Sequence, residues 1–305
     1  MGTRINTMLA AGTLIAAAGL TAGLAGAKAT PDSFSGLPNT LTLTGVVRDM
    51  QERSVTGGHP DFERQPSAGF AQYTKMVADD LDADSKPVMR STGNKLTSDW
   101  RDAAGRNRLD NRSYIDARTG DRNGAAATTL GGALTTATNL STWFRDTPGV
   151  NLSQPLALTL VRNPGTNTYT FNDRTDSNFS SLGGFFPING ELFGNSRGND
   201  RNFHFTFELE TEFVFERGTG QVFTFTGDDD VWVFVDNKLV IDIGGVHSAK
   251  SQSIDLDRLG WLANGRSYKL KFFFAERHRT ASNFRIDTTL RLRTVEAPTT
   301  NHLYD

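Results

Sequence analysis

The run Phe223-Thr224-Phe225-Thr226-Gly227-Asp228-Asp229-Asp230-Val231-Trp232-Val233-Phe234-Val235-Asp236-Asn237-Lys238-Leu239-Val240-Ile241-Asp242 decides the reading of this chain. Phe223 to Thr226 alternate aromatic and small polar side chains, the period of a half-buried strand. Three carboxylates follow, and Val231 to Val235 then resume as a second strand. Asp236-Asn237-Lys238 supplies turn chemistry before a third strand over Leu239 to Asp242. Asp is a poor strand residue, and three side by side repel one another, so the trio needs a physical reason. A hard cation is one reason, because calcium takes six to eight oxygens at about 2.3–2.6 Å. A turn whose backbone N–H groups donate to the carboxylates is the other. Spacing alone weighs the two equally, and no EF-hand loop accompanies the trio.

Outward from this run the pattern stays β. Leu156–Val161, Tyr169–Phe171, His204–Glu212, Gln221–Thr226, Ser251–Asp255, Ser267–Phe274 and Phe284–Arg293 read as further strands. Asn163-Pro164-Gly165, Arg217-Gly218-Thr219-Gly220, Gly244-Gly245 and Asn264-Gly265 separate several of them. Many short strands with turns between them predict a mainly β, antiparallel sandwich or jelly-roll-like fold. The N-terminal half is less regular. Leu41–Val47 reads as a strand, while Phe70, Tyr73, Val77 and Leu81 fall at helical spacing and predict a helix over 69–82. Ser85–Thr136 is polar and weakly periodic, suggesting long loops with short helical turns. Asn139–Arg145 suits a short helix ending before Pro148.

Composition narrows the class. Hydrophobic residues are 37% of the 305, enough to bury a sizeable core, and 21 of them are Phe, concentrated among the strands. A net charge of −2 points to neither nucleic acid nor an anionic membrane as partner. Arg4, the apolar run Met8–Leu24 and the small residues Ala25-Gly26-Ala27 predict a signal peptide over 1–27. That implies a secreted or cell-surface protein, touching the membrane only through its export signal. Residues 28–40 read as a linker. With no Cys at all, disulfides cannot help it resist unfolding outside the cell, so core size or bound metal must.

Phe225–Phe234, Gly244-Gly245-Val246-His247, Phe272-Phe273-Phe274-Ala275-Glu276-Arg277-His278 and Ser282-Asn283-Phe284-Arg285-Ile286 together resemble the fibro-slime domain. Val47-Arg48-Asp49, His59-Pro60-Asp61-Phe62-Glu63, Trp143-Phe144-Arg145-Asp146 and Phe185-Phe186-Pro187-Ile188 extend the resemblance. It covers about Leu41–Arg293, giving a domain over 41–293 with its sandwich core mainly in 150–293 and a tail over 294–305. The resemblance implies kinship with the anthrax protective-antigen-type β-sandwich, which in toxins, glycosidases and adhesins commonly binds carbohydrate. In its lectin members paired aspartates on one loop, with an Asn and carbonyls on a second, hold calcium, and the ion binds sugar hydroxyls. Carried over to this chain, the pair is Asp228-Asp229 or Asp229-Asp230. The second loop is Glu276–Asn283, with Asn283 as the amide ligand.

Four further residues enter as candidate ligand contacts. Trp232 could stack on a sugar, though a Trp alternating with Val231 and Val233 is more often core. His247 and His278 sit in polar loops near the acidic run, where a plain loop hydrogen bond competes with ligand contact. Arg277 competes between anion recognition and a structural ion pair. His59, Asp61 and Glu63 form a second acidic patch, read as a loop rather than a metal site. No nucleophile elbow, zincin helix or Cys–His pair is present, and three adjacent acids do not separate into acid and base roles, so no catalytic residue is expected. The resulting expectation is a calcium-dependent module, not an enzyme, that binds glycans or an extracellular matrix polymer, with self-association possible. A sugar-blind subunit of an extracellular fibre or slime matrix and a secreted glycoside hydrolase are the alternatives.

Overall fold

The structure, a computed structural model, describes residues 1–2 and 32–295. The signal peptide expected over 1–27 and the end of the tail therefore lie, but for the first two residues, outside the described part. The N-terminal half contributes β1 (Thr40–Met50), β2 (Tyr73–Thr74), β3 (Asn94–Ser98), β4 (Ala125–Leu130) and the short helix α1 (Ala137–Ser141). Then come β5 (Asn151–Arg162), β6 (Tyr169–Asn172), β7 (Phe205–Val214), β8 (Val222–Gly227) and β9 (Asp230–Val235). The chain continues through β10 (Lys238–Ile243), β11 (Lys250–Asp255), β12 (Ser267–Glu276), β13 (Phe284–Thr288) and β14 (Arg293–Thr294).

One antiparallel sheet runs β10-β9-β12-β7-β1-β5-β6-β13-β8-β11, with β14 paired to β7. Its two ends approach each other: the Asp242 amide on β10 donates to Gln252 Oε1 on β11 at 2.7 Å. The sheet thus curls into a near-closed sandwich, which protects most edge N–H and C=O groups from stray pairing. A separate small sheet, β2-β3-β4, stands against it.

Two cores explain why every residue of β9 is buried. Successive strand side chains point to opposite faces. Val231, Val233 and Val235 face the sandwich interior with Phe225, Phe272, Phe274 and Phe284, whereas Trp232 and Phe234 face outward. There the N-terminal half covers them with Tyr73, Met76, Trp143 and Phe144. Trp143 lies 6.0 Å from Trp232 between ring centroids. A strand covered on both faces loses its polar alternation, which is why Asp230 to Val235 is so apolar.

The predicted strands of the second half are present, with one exception. Phe284–Arg293 is broken, since β13 ends at Thr288 and pairing resumes only at Arg293. Thr294, assigned to the tail, pairs with Thr211. Two expectations for the N-terminal half are corrected. The predicted helix over 69–82 is absent: Tyr73 instead exchanges backbone hydrogen bonds with Gly244 at 2.6 and 3.0 Å, and Lys75 takes a positive φ of 62°. Tyr73, Met76 and Val77 are buried, but by packing a loop onto the sheet rather than by a helical face. Residues 85–136 contribute strands β3 and β4 in place of helical turns. Strand β1 lies between β5 and β7 in mid-sheet and adds Leu43 and Val47 to a sandwich core otherwise drawn from residues 158–292.

Candidate functional site

The site forms where the β8–β9 loop meets the loop between β12 and β13. Gly227 ends β8 because nothing larger fits: a Cβ there would sit 2.1 Å from the Asn283 carbonyl oxygen. The two loops are thereby pressed together. The acidic run then divides, with a cis peptide between Asp228 and Asp229. Asp228 accepts from the Asn283 amide at 2.6 Å and from its Nδ2 at 2.7 Å. Asp229 accepts from the backbone amides of His247 at 3.1 Å and Arg277 at 3.2 Å. Both line a cleft of about 400 Å³ whose walls include Phe70, His247, His278 and Asn283.

Asp230 turns the other way. Its carboxylate takes Arg277 Nε at 2.5 Å and the Gly245 amide at 2.6 Å, and both side chains are fully buried. Gly245 adopts φ 90°, a conformation that an L side chain rarely takes. The Arg277 guanidinium also donates to the Asp61 and Ala133 carbonyls and lies 5.1 Å from the Trp143 ring centre. It is a structural partner of Asp230 and lies off the cleft, so the anion-recognition role considered for it is corrected.

Behind the cleft stands Glu276 at the end of β12, 0% exposed. Its Oε1 is 3.5 Å from the His278 amide, and its buried Oε2 has no hydrogen-bond partner among the described residues. Burial, then repulsion from Asp229 and Asp228, raises the Glu276 carboxyl well above the usual range. Asp229 is likewise raised well above it, by burial first and then by Asp230 and Asp228, against the attraction of Arg277. Burial also raises Asp228, against the Asn283 hydrogen bonds. Three buried carboxyls thus lie near one another, and Arg277, the guanidinium that attracts Asp229, is already committed to Asp230. The donors are hard oxygens, but Asp228, Asp229 and Glu276 do not bring three ligand atoms within 4.8 Å of one another, so the arrangement offers a cation at most the Asp228–Asp229 pair.

Of the remaining predicted residues, His247 and His278 wall the cleft. His247 Nδ1 lies 2.9 Å from the Ser248 carbonyl, and burial lowers its pKa to about 4, leaving it neutral at pH 7. His278 packs against Phe70, 4.6 Å between ring centroids, with Nε2 3.3 Å from Glu63. Asn283 reaches the site but braces it: Nδ2 serves Asp228 while its oxygen is taken by Arg174, so the free-amide-ligand assignment is corrected. Trp232 is 0% exposed and donates Nε1 to Asp242 at 3.1 Å, which corrects its assignment as a sugar contact. His59 and Asp61 turn to Thr142 and Thr135 and hold loops.

Sequence reading missed Glu276 as a member of the cluster, and it missed the brace beneath the second loop. Glu63 accepts from the Arg279 amide at 2.8 Å and lies 3.1 Å from His204 Nε2, while Glu52 pairs with the Arg279 guanidinium. Glu52, Glu63 and His204 bring ligand atoms within 4.8 Å of one another, but the Arg279 guanidinium already offsets their charge. The local signal was Glu276 and Arg277 following the aromatic run Phe272–Phe274 at the end of β12.

Residues 186–301 match the PA14 domain. Protein psiR of Dictyostelium discoideum is 33% identical over 264 residues, covering 84% of this chain and 22% of psiR. Protein psiD of the same organism is 43% identical over 155 residues, covering 48% of this chain and 28% of psiD. The chain thus spans about a quarter of the length of these relatives. Among solved structures, the PA14 domain of MpAFP antifreeze protein aligns over 87% of this chain and 97% of its own, at 10% identity and TM-score 0.25. Residues 186–301 therefore carry a PA14 domain match, set within a longer stretch homologous to the Dictyostelium psi proteins.

Proposed function

We propose that this protein is an exported, calcium-dependent carbohydrate-binding or adhesive module of the fibro-slime type, without catalytic activity of its own. The observation that carries the proposal is the buried pair Asp228 and Asp229 at the wall of an open cleft, with Glu276 behind them and its Oε2 unpaired. Asp228 and Asp229 hold the cation at the cleft, with Glu276 behind them adding negative charge. The donors are all oxygens and carry no soft ligand, which favours calcium over zinc or copper. Bound there, calcium offers a sugar's hydroxyl oxygens an electropositive anchor. His278 and Phe70 add an aromatic wall for the apolar face of a pyranose ring.

Binding is favoured over hydrolysis because Asp228 and Asp229 are sequence neighbours pointing into one zone. Glycosidic cleavage needs two carboxyls on opposite sides of a bond, about 5–9 Å apart. A glycan array run with calcium and with chelator tests the reading, using Asp229→Asn as control. Sugar binding that disappears with chelator and in the variant supports it. A folded protein that ignores sugars and instead polymerises indicates a matrix subunit. Release of reducing ends from a bound glycan indicates a hydrolase.

A further inference from the structure

A second cleft of about 380 Å³ adjoins the first, and the two share Phe70, His247 and Ser248 as a common rim. The second lobe takes Leu96, Thr97 and Ser98 from β3 of the small sheet and Asp99 just beyond it, with Gln72 and Lys250 completing it. Lys250 makes no ion pair among the described residues, so its ammonium is available to a ligand. The lining offers hydroxyl, amide, carboxylate and ammonium groups, the donors and acceptors that a hydroxyl-rich chain requires.

Phe70 stands between the lobes. It is 45% exposed, a large apolar ring open to solvent where most aromatic rings of the chain are buried. Its loop is held rigidly from below. Tyr73 Oη donates to the Gly69 carbonyl at 2.6 Å, Ser67 Oγ to the Gly131 carbonyl at 2.9 Å, and Lys95 Nζ to the Ala68 carbonyl at 2.8 Å. The Gly69 amide closes a turn onto the Pro66 carbonyl at 2.9 Å. An aromatic ring kept exposed on a fixed loop is organised in advance for a flat partner.

We infer that the binding groove takes an oligosaccharide of at least two units, with one sugar at the Asp228–Asp229 lobe, the next in the Ser98–Lys250 lobe, and Phe70 as the platform between them. This rests on the calcium-dependent glycan reading above and extends it from a terminal sugar to a linear chain. The small sheet β2-β3-β4 is, on this view, the part of the fold that sets ligand length.

The experiment compares the best array sugar as monosaccharide and as the matching tri- or tetrasaccharide, by calorimetry in calcium, for wild type, Phe70→Ala and Ser98→Trp. Ser98 is exposed on β3, so the Trp fills the second lobe without entering a core. The wild type should bind the longer chain at least tenfold more tightly. Ser98→Trp should remove that advantage with monosaccharide affinity unchanged, and Phe70→Ala should weaken the oligosaccharide about tenfold. The calcium-induced rise in melting temperature should persist in both variants, which reports that the first lobe is intact. Calcium-dependent monosaccharide binding with no gain on extension, or a gain that survives Ser98→Trp, overturns the two-lobe inference alone. Absence of calcium-dependent sugar binding overturns this inference and the functional reading together.

Discussion

Asp229 and Asp230 are adjacent, identical in type and both buried, yet they serve opposite purposes. Asp230 begins β9 and is matched by one guanidinium and one amide, a closed ion pair beneath the second core. Asp229 lines a cleft with Asp228, Glu276 lies behind it, and none of the three has an ion-pair partner among the described residues, so burial raises their carboxyls. The difference teaches that burial by itself does not mark a functional carboxylate. Uncompensated charge at an opening does. Asp230 stabilises the fold that positions its neighbour.

Breaking the closed pair should have the largest effect. Arg277→Ala leaves Asp230 buried and unmatched, and removing one member of a buried pair typically costs about 3–5 kcal/mol. Denaturant unfolding should show this loss with or without calcium, and a change under about 1 kcal/mol would place Asp230 in solvent contact instead. Next comes the ion. At a calcium concentration about 100 times its dissociation constant, linkage stabilises the native state by about 2.7 kcal/mol. Thermal melts of the wild type should rise by several degrees on adding calcium to chelated protein. Asp229→Asn should lose most of that rise, and a wild type indifferent to calcium ends the metal reading.

Glu276→Gln sharpens the contrast further, because it should stabilise rather than destabilise. It removes a buried carboxyl whose ionised form the chelated protein disfavours, raising its melting temperature by about 2–4 °C for roughly 1 kcal/mol in a chain this size, while shrinking the calcium response. A lower melting temperature in chelator would mean that Glu276 is already matched. The smallest effect is in pH. The folded carboxyls of Asp229 and Glu276 are raised, so the native state holds protons that the unfolded chain releases. Stability of chelated protein is therefore lost as pH climbs from the unfolded carboxylate range toward the raised folded values. Asp49, raised by burial to about 7, and Asp242, raised by burial to about 6, add in the same direction. His247, lowered to about 4, opposes them. Melts of wild type against Glu276→Gln from about pH 4.5 to 7.5 cancel these shared groups. The gap in favour of the variant should widen with pH in chelator and close in calcium; a constant gap would show that Glu276 titrates normally.

Much of the sandwich was legible because strand signals are local. Phe223 to Asp242 shows two turns of chain direction and three strands within twenty residues. Two positive-φ residues, Asp236 and Asn237, make the tight hairpin that Asp-Asn predicts. The misreadings have a common cause. Phe70, Tyr73, Val77 and Leu81 mimic a helical stripe, but Tyr73 bonds Gly244 and packs with Val77 and Leu81 in the core of Trp232 and Phe234, while Phe70 stays exposed. Trp232 was weighed as a sugar contact only because the layer that covers it, Trp143 and Phe144, is some ninety residues away.

What the sequence determined by itself is the β architecture and the acidic run at a strand end, since these follow from period-two patterning and turn residues; that the Glu276–Asn283 loop meets the run was implied by the family resemblance. Tertiary structure alone decided which aspartates face the cleft, that Glu276 joins them, and that Phe70 stands exposed beside them. Those choices depend on where strands distant in the chain come to lie, because side-chain direction and charge compensation belong to the packed assembly and not to any local stretch.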